Sequence, residues 1–286
     1  MKLSKFIITE DKDDCVVAKQ LRTGSLITLA HDDLNRLRSG EFDSLSPDDT
    51  AELLKCGFLV EGDENALFLD DFRGWWMESD FMTLFVIPTN NCQCRCGYCY
   101  EDGIDRSQYM QAGVQARLLN WTGEYLDSHD GVKELNVVFH GGEPLLNPSA
   151  IYNLLPRLAS LAEGRQKGFS VSMVTNGVKL NEKVLGALSQ YDFRRLQLTL
   201  DGPREVNDSR RILANGLGTF DTIWAKMHMA LAKGFVDQIH LRVNIDTENL
   251  DLVEPLIWQL SEDLELHGRV HLSLGIVTSR GPSRVS

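Results

Sequence analysis

Cysteine is absent after Cys99, the last of six in a chain of 286 residues. Any disulfide or cysteine-ligated metal site therefore belongs to the first third of the sequence. Long hydrophobic runs are missing too. None approaches the roughly 20 residues that cross a bilayer, and Met1–Glu10 lacks the apolar centre of a secretory signal. No membrane association is expected, and the chain reads as cytoplasmic. Basic residues are in the minority, 29 Lys and Arg against 41 Asp and Glu, for a net charge of -12. A nucleic-acid partner is disfavoured, because phosphate-binding surfaces need clustered Lys and Arg, and Arg194-Arg195 and Arg210-Arg211 are pairs rather than patches. Proline and glycine are not in excess and low-complexity tracts are absent. With 43% hydrophobic and 24% charged residues the chain is an ordinary globular sequence rather than a disordered one.

Four of the six cysteines, Cys92, Cys94, Cys96 and Cys99, fall within eight residues. Bridging among them would be strained and would staple nothing distant, so metal is favoured over disulfide. Cys15 and Cys56 stand alone and read as core residues.

From about Thr83 onward, short β-rich runs alternate with segments of helical period, the pattern of repeated βα units on a parallel sheet. The runs are Thr83–Pro88, Leu135–His140, Phe169–Thr175, Leu196–Leu200, Gln238–Ile245 and Val270–Val277. Between them, apolar residues recur at three and four, as in Ile151, Leu154, Leu155, Leu158 and Leu161. Six such units predict an α/β fold, an open (β/α)6 version of the eight-unit TIM barrel, with active groups at the C-terminal ends of the strands. Residues 1–80 differ. Strands are predicted near Cys15–Leu21 and Ser25–Leu29 and helices near His31–Arg38 and Pro47–Lys55, giving a small α+β unit ahead of a barrel over residues 81–286.

The first strand of the barrel leads into Asn91-Cys92-Gln93-Cys94-Arg95-Cys96-Gly97-Tyr98-Cys99-Tyr100. Soft thiolates so placed suit an iron–sulfur cluster, and three ligands on four irons leave one iron open to a small molecule. The competing reading is a structural zinc held by all four cysteines. Such sites usually draw on two separated knuckles, and no second pair exists in this chain.

The CX3CX2C spacing of Cys92, Cys96 and Cys99, followed one strand later by Phe139-His140-Gly141-Gly142-Glu143-Pro144, resembles the radical S-adenosylmethionine superfamily. Thr175-Asn176-Gly177 after the third strand and Asp201-Gly202-Pro203 after the fourth, with Asn207-Asp208-Ser209-Arg210-Arg211 beyond, are similar to its peptide-modifying and sulfatase-maturing members. Taken singly, these segments are ordinary turns. The resemblance implies a [4Fe-4S] cluster on Cys92, Cys96 and Cys99. It also implies S-adenosylmethionine (SAM) held by Tyr98, Gly141, Gly142, Glu143, Ser172, Asn176, Asp201 and Arg211. An external electron donor would drive reductive cleavage to a 5'-deoxyadenosyl radical, acting on a peptide or protein substrate. Two other readings stay open, a small-metabolite substrate and a non-catalytic metal-binding module. The sequence departs from the pattern at Asn207, where relatives often have His, and in the extra Cys94. Relatives with this pattern usually continue into a cysteine-rich SPASM domain. A partner subunit or a further C-terminal domain is therefore expected beside the sixth strand, and the first 80 residues are expected to recognise peptide.

Overall fold

The computed structural model describes residues 1–77 and 80–277, in two compact units, Met1–Ser79 and Asp80–Ser286. In the first unit the elements run β1 (Lys2–Leu3), β2 (Ile7–Asp11), β3 (Val16–Gln20), β4 (Leu26–Leu29), α1 (His31–Ser39), α2 (Pro47–Lys55), β5 (Leu59–Val60) and α3 (Glu64–Met77). Strands β2, β3 and β4 form an antiparallel sheet in that order, and β1 pairs with β5. Helix α2 begins where Ser46 and Pro47 predict it, the Ser46 hydroxyl accepting from the Asp49 N–H at 3.0 Å. Ala18, Leu37, Leu53, Phe58 and Leu59 make the core.

Strand β2 and helix α3 carry no signal in the sequence, for opposite reasons. The strand is largely exposed and so has no alternation to read. The helix leaves Leu67, Phe68 and Leu69 exposed, so its apolar residues do not trace a single stripe.

The second unit alternates strand and helix as expected: β6 (Phe81–Val86), α4 (Ala112–Ser128), β7 (Glu134–Phe139), α5 (Pro148–Glu163), β8 (Gly168–Val174), α6 (Glu182–Leu188), β9 (Asp192–Thr199), α7 (Arg204–Arg210), α8 (Phe220–Ala232), β10 (Ile239–Ile245), α9 (Val253–Glu262) and β11 (Val270–Ile276). All six strands are parallel and lie in chain order from β6 to β11. Among the described residues the sheet does not close on itself, so the architecture is the open, partial barrel.

One face of the sheet is apolar. Leu84, Val137, Val171, Met173, Leu196, Leu198, Leu241 and Val243 join Ile151, Leu154 and Leu158 of α5 and Ile223 and Met227 of α8 in a continuous buried core. Each such side chain is worth about 1.5–3 kcal/mol relative to exposure. Because side chains alternate along a strand, the other face carries Asn136, Ser172, Gln197, Thr199, Arg242 and Asn244. That polar face, and the loops at the strands' C-terminal ends, are free for function.

Strand β9 starts four residues before its predicted boundary. Asp192, Arg194 and Arg195 look unlike a strand, but Arg194 pairs with Glu134 and Asp192, and the register with β8 shifts between Val171 and Ser172 to admit the extra residue.

Candidate functional site

The loop between β6 and α4 carries the cysteines, with Cys92, Cys96 and Cys99 half-buried and Cys94 buried. A loop without regular structure must satisfy its backbone by other means. Here Arg95 donates from Nη1 to the carbonyls of Cys92 (2.7 Å) and Cys94 (2.8 Å), and Arg106 donates to Cys94 at 3.2 Å. The loop is also stitched to the segment after α7, Arg95 N–H to Ile212 O at 2.7 Å and Ala214 N–H to Gln93 O at 2.9 Å.

The segment after β7 is pinned to the same loop. Gly142 N–H donates to Thr89 O at 3.2 Å and Glu143 N–H to Asn91 O at 2.7 Å. The two glycines are required by this close approach. A β-carbon on Gly142 would lie 2.5 Å from Asn90 O and 2.6 Å from Asn91 O, and one on Gly141 would meet Ile87 and Thr89 O, at a φ of 124° that disfavours other residues. The pair is thus a fit of protein to protein.

Glu143 is fully buried, and its carboxylate is committed within the chain. It accepts from Leu145 N–H (2.9 Å), Thr175 Oγ1 (2.7 Å) and Asn176 N–H (2.8 Å), bracing the end of β7 against the end of β8. Burial pushes its pKa up against these three bonds, which favour the charged form. A ligand reaching this segment would meet its backbone. Asn176 continues the chain of contacts, accepting from Gln93 Nε2 at 2.9 Å and donating from Nδ2 to Cys92 Sγ at 3.5 Å. An amide donor on a cluster sulfur is a recognised way to tune such a ligand. Ser172 is nearly buried on the polar face of β8, in register with Arg195.

On the far side, Tyr98 lies between Asp201 and Arg211. Its hydroxyl donates to Asp201 Oδ2 and accepts from Arg211 Nη1 (2.7 Å) and Asn244 Nδ2 (3.2 Å). Asp201 is fully buried and also accepts from Asn244 N–H at 3.0 Å. Burial opposes the charge on Arg211, but Tyr98, Cys96 and Asp201 more than offset it and the pKa is raised, so the guanidinium stays ionised. Burial raises the Tyr98 phenol. The Cys94 thiol, within reach of both Cys92 and Cys96, stabilises their thiolates, and Cys96 falls to about 6 with further help from Arg211.

The cysteine loop, Gly141–Glu143, Asn176, Tyr98, Asp201 and Arg211 therefore gather at the C-terminal edge of the sheet, with Ser172 two residues inside the end of β8. The structure adds others. Asn207, in doubt as a departure from the pattern, is a buried brace, accepting from Asp201 N–H at 3.2 Å and donating to Thr219 Oγ1 at 3.0 Å. Asn249 donates to the carbonyls of Asp201 (2.8 Å) and Asn244 (2.9 Å), and Arg210 pairs with Asp246 at 2.8 Å. For Asn244 the signal was a lone amide between Val243 and Ile245 at a strand end. For Asn249 the sequence carries only the signal of a polar residue just before a helical segment.

The site fits a cluster and a polar ligand on its own chemistry. Three half-buried sulfurs share one loop, and among the described residues no three Cys, His, Asp or Glu side chains converge as a single metal ion would need. A cubane takes each thiolate on a different iron and does not require that convergence. Three polar atoms buried here, Arg211 Nε, Gln93 Oε1 and Arg210 Nε, have no hydrogen-bond partner, an uncommon condition that a bound polar group can relieve.

Comparison with known proteins agrees. The cysteine-type anaerobic sulfatase-maturating enzyme of Clostridium novyi is 27% identical over 144 residues, covering 50% of this chain and 38% of its own length. The Fe-coproporphyrin III synthase of Methanosarcina barkeri is 27% identical over 176 residues, covering 61% and 39%. The chain thus spans about two fifths of the length of these curated relatives. Among solved structures, native anSMEcpe with bound AdoMet and Kp18Cys peptide matches with a TM-score of 0.58 at 19% identity, covering 71% of this chain and 55% of that one, a likeness of fold. The model of the family described as the Radical SAM superfamily matches residues 86–257, more than half of the chain. The chain belongs to the radical SAM superfamily, whose cofactors are a [4Fe-4S] cluster and S-adenosylmethionine.

Proposed function

We propose that the chain cleaves SAM reductively and uses the resulting radical to modify a peptide or protein side chain. One observation carries the first half of this reading: Asn176 joins three separate strand ends, donating from its side chain to Cys92 Sγ and from its backbone N–H to the Glu143 carboxylate, while Gly142 and Glu143 bond the backbone of the cysteine loop at Thr89 and Asn91. Cys92, Cys96 and Cys99 would hold the cluster. The Gly141–Glu143 backbone, Ser172, Asn176, Tyr98, Asp201 and Arg211 would surround SAM. When bound, the cluster and SAM supply one-electron cleavage of the sulfonium and a hydrogen-abstracting radical, with the electron coming from an external donor.

The chain's own residues orient and enclose. Arg211, buried and with Nε unsatisfied, offers its guanidinium to a carboxylate, the geometry arginine serves best. Tyr98 holds that guanidinium in place, and Glu143 fixes the loops without itself being exposed to ligand. The backbone bonds from Arg95 to Ile212 and from Ala214 to Gln93 hold the cysteine loop in place beside them.

Two observations support a peptide substrate. Relatives include a sulfatase-maturating enzyme and a structure with peptide bound. In the first unit, β4 is the outer strand of its sheet and borders a groove of about 530 Å3, lined by Ile27, Leu29, Leu37, Leu45 and Leu53 among others. An open strand edge beside a groove whose apolar floor is bordered by charged residues such as Asp33, Arg36 and Glu52 suits an extended peptide. A small metabolite remains the second reading, favoured by the likeness to the coproporphyrin-related synthase. The reading places the protein in the cytoplasm; among the described residues no helix is long and apolar enough to cross a membrane.

Anaerobic reconstitution with iron and sulfide tests the proposal. The expected result is one four-iron cluster and, with a strong reductant, conversion of SAM to 5'-deoxyadenosine and methionine. A colourless protein retaining one zinc would overturn it.

A further inference from the structure

The polar face of the barrel sheet is unevenly charged, and its acidic and basic residues are sorted by height. At the N-terminal end of the strands, Glu134 and Asp192 are both engaged by Arg194. At the C-terminal edge, Asp201 is enclosed by Tyr98, Asn244 and Arg210. Between these levels the face is cationic. Arg195 on β9 stands in register with Ser172 of β8 and is flanked by Leu196, which points into the core. Gln197, two residues on, is in register with His240 of β10, which is in register with His271 of β11, their rings 5.2 Å apart. Arg242, the next residue of β10 on this face, donates to Asn244 Oδ1 at 2.8 Å and lies so flat across β11 that any side chain at Gly275 would collide with its guanidinium.

Arg195 has no hydrogen-bond or ion-pair partner among the described residues, and Arg242 has no carboxylate partner among them. Two arginines and two histidines on adjacent strands repel one another. The consequence is visible at His240, whose pKa is lowered by burial and by the charges of Arg195 and His271. In a chain with 41 acidic residues against 29 basic ones, such a row without an acid is unusual. Gly275, in register with Asn244, has no side chain to obstruct the planar guanidinium, and Nη1 and Nη2 of Arg242 have no hydrogen-bond partner among the described residues, which leaves them available for bidentate recognition.

We propose that Arg195, His240, His271 and Arg242 form the floor of the substrate cavity and bind a carboxylate of a peptide substrate. This deepens the functional reading above and rests on it, since the floor lies on the same face as Ser172 and just below the proposed SAM site. The carboxylate can come from an acidic side chain or from a peptide C-terminus. Either would offset part of the row's positive charge and set the depth to which the substrate enters. An amide or hydroxyl in its place would leave the cations uncompensated.

The test measures binding of matched short peptides to the reconstituted protein by calorimetry, with the imidazole nitrogens of His240 and His271 followed by NMR on histidine-labelled protein. One peptide carries Asp with an amidated C-terminus, the second replaces that Asp by Asn, and the third keeps Asn but has a free C-terminal carboxylate. Inorganic phosphate reports general anion attraction. The expected result is at least tenfold tighter binding of one carboxylate peptide than of the all-amide peptide, with shifts at both histidines. That preference should fall severalfold or more in Arg195→Gln and in His271→Gln, each checked for native folding by circular dichroism. The peptide favoured, first or third, identifies the source of the carboxylate. Equal binding of all three, phosphate binding as tight as the best peptide, or a preference unchanged in both variants would overturn the proposal. SAM cleavage by the wild-type protein is measured in parallel. Cleavage without carboxylate preference defeats this proposal alone, whereas no cleavage defeats the functional reading while the binding comparison still stands.

Discussion

Arg211 donates to the Tyr98 hydroxyl at 2.7 Å, joining the end of α7 to the cysteine loop 113 residues earlier in the chain. The same hydroxyl donates to Asp201, so it mediates between a buried cation and a buried carboxylate. Tyr98→Phe keeps the ring but leaves both charges short of a partner. The expected cost is about 1–3 kcal/mol of stability, together with weaker SAM binding as Arg211 loses its alignment. Thermal denaturation and SAM titration check this, and wild-type values in both would refute the bridging role.

Gly142→Ala places a methyl group against two backbone oxygens that cannot swing aside as a side-chain tip would. The loop carrying Asn90 and Asn91 must move, at about 1–3 kcal/mol or more, and Cys92 moves with it. The reconstituted variant should hold less iron than wild type and melt lower. Undiminished iron content would mean that the glycine pair does not set the cysteine loop.

Among the four clustered cysteines, only Cys94 is assigned a supporting role. Cys92→Ala, Cys96→Ala and Cys99→Ala should each lose the cluster and, with it, SAM cleavage. Cys94→Ala should retain most of both, since a fourth thiolate would close the iron that a small ligand needs. The electronic absorption of the cluster and the yield of 5'-deoxyadenosine are the readouts, and equal loss in all four variants contradicts the assignment.

Far from the site, His228 on α8 bonds Glu265 (2.7 Å) and Asp263 (2.9 Å) beyond α9. Burial lowers its pKa, but the two carboxylates more than offset this and hold it above the ordinary 6.5. A histidine raised on folding contributes stability that is fully present below its unfolded pKa and lost as pH rises through the folded one. His228→Gln should therefore destabilise by about 0.5–1 kcal/mol at pH 5 to 6 and progressively less as pH rises beyond the folded value. Denaturant melts across that range decide it, and a penalty that grows with pH would refute the ion pairs.

Much of this protein was determined by sequence alone. The six strands and their helices follow from periodicity, because burial on one face of a parallel sheet leaves a local record of 3.6- and 2-residue spacing. The CX3CX2C spacing and the strand-end turns are legible for a similar reason, since each chemistry needs fixed residue types a few positions apart. Where burial leaves no stripe, as in β2 and α3, the record fails.

Only the tertiary structure decided what each strand-end residue does once the strands are side by side. Glu143 could be read as a ligand contact, yet its carboxylate is spent on Leu145, Thr175 and Asn176. Asn244 and Asn249 carry no motif, and Asn207 stands out only as a departure from one, yet all three brace Asp201. Arg195 and Arg242 are unremarkable in a chain of net charge -12, and become a cationic row with His240 and His271 only through the pairing of β9, β10 and β11. Partners so distant along the chain are chosen by the register of parallel strands, and register is fixed by the packing of the whole sheet rather than by any local run of residues.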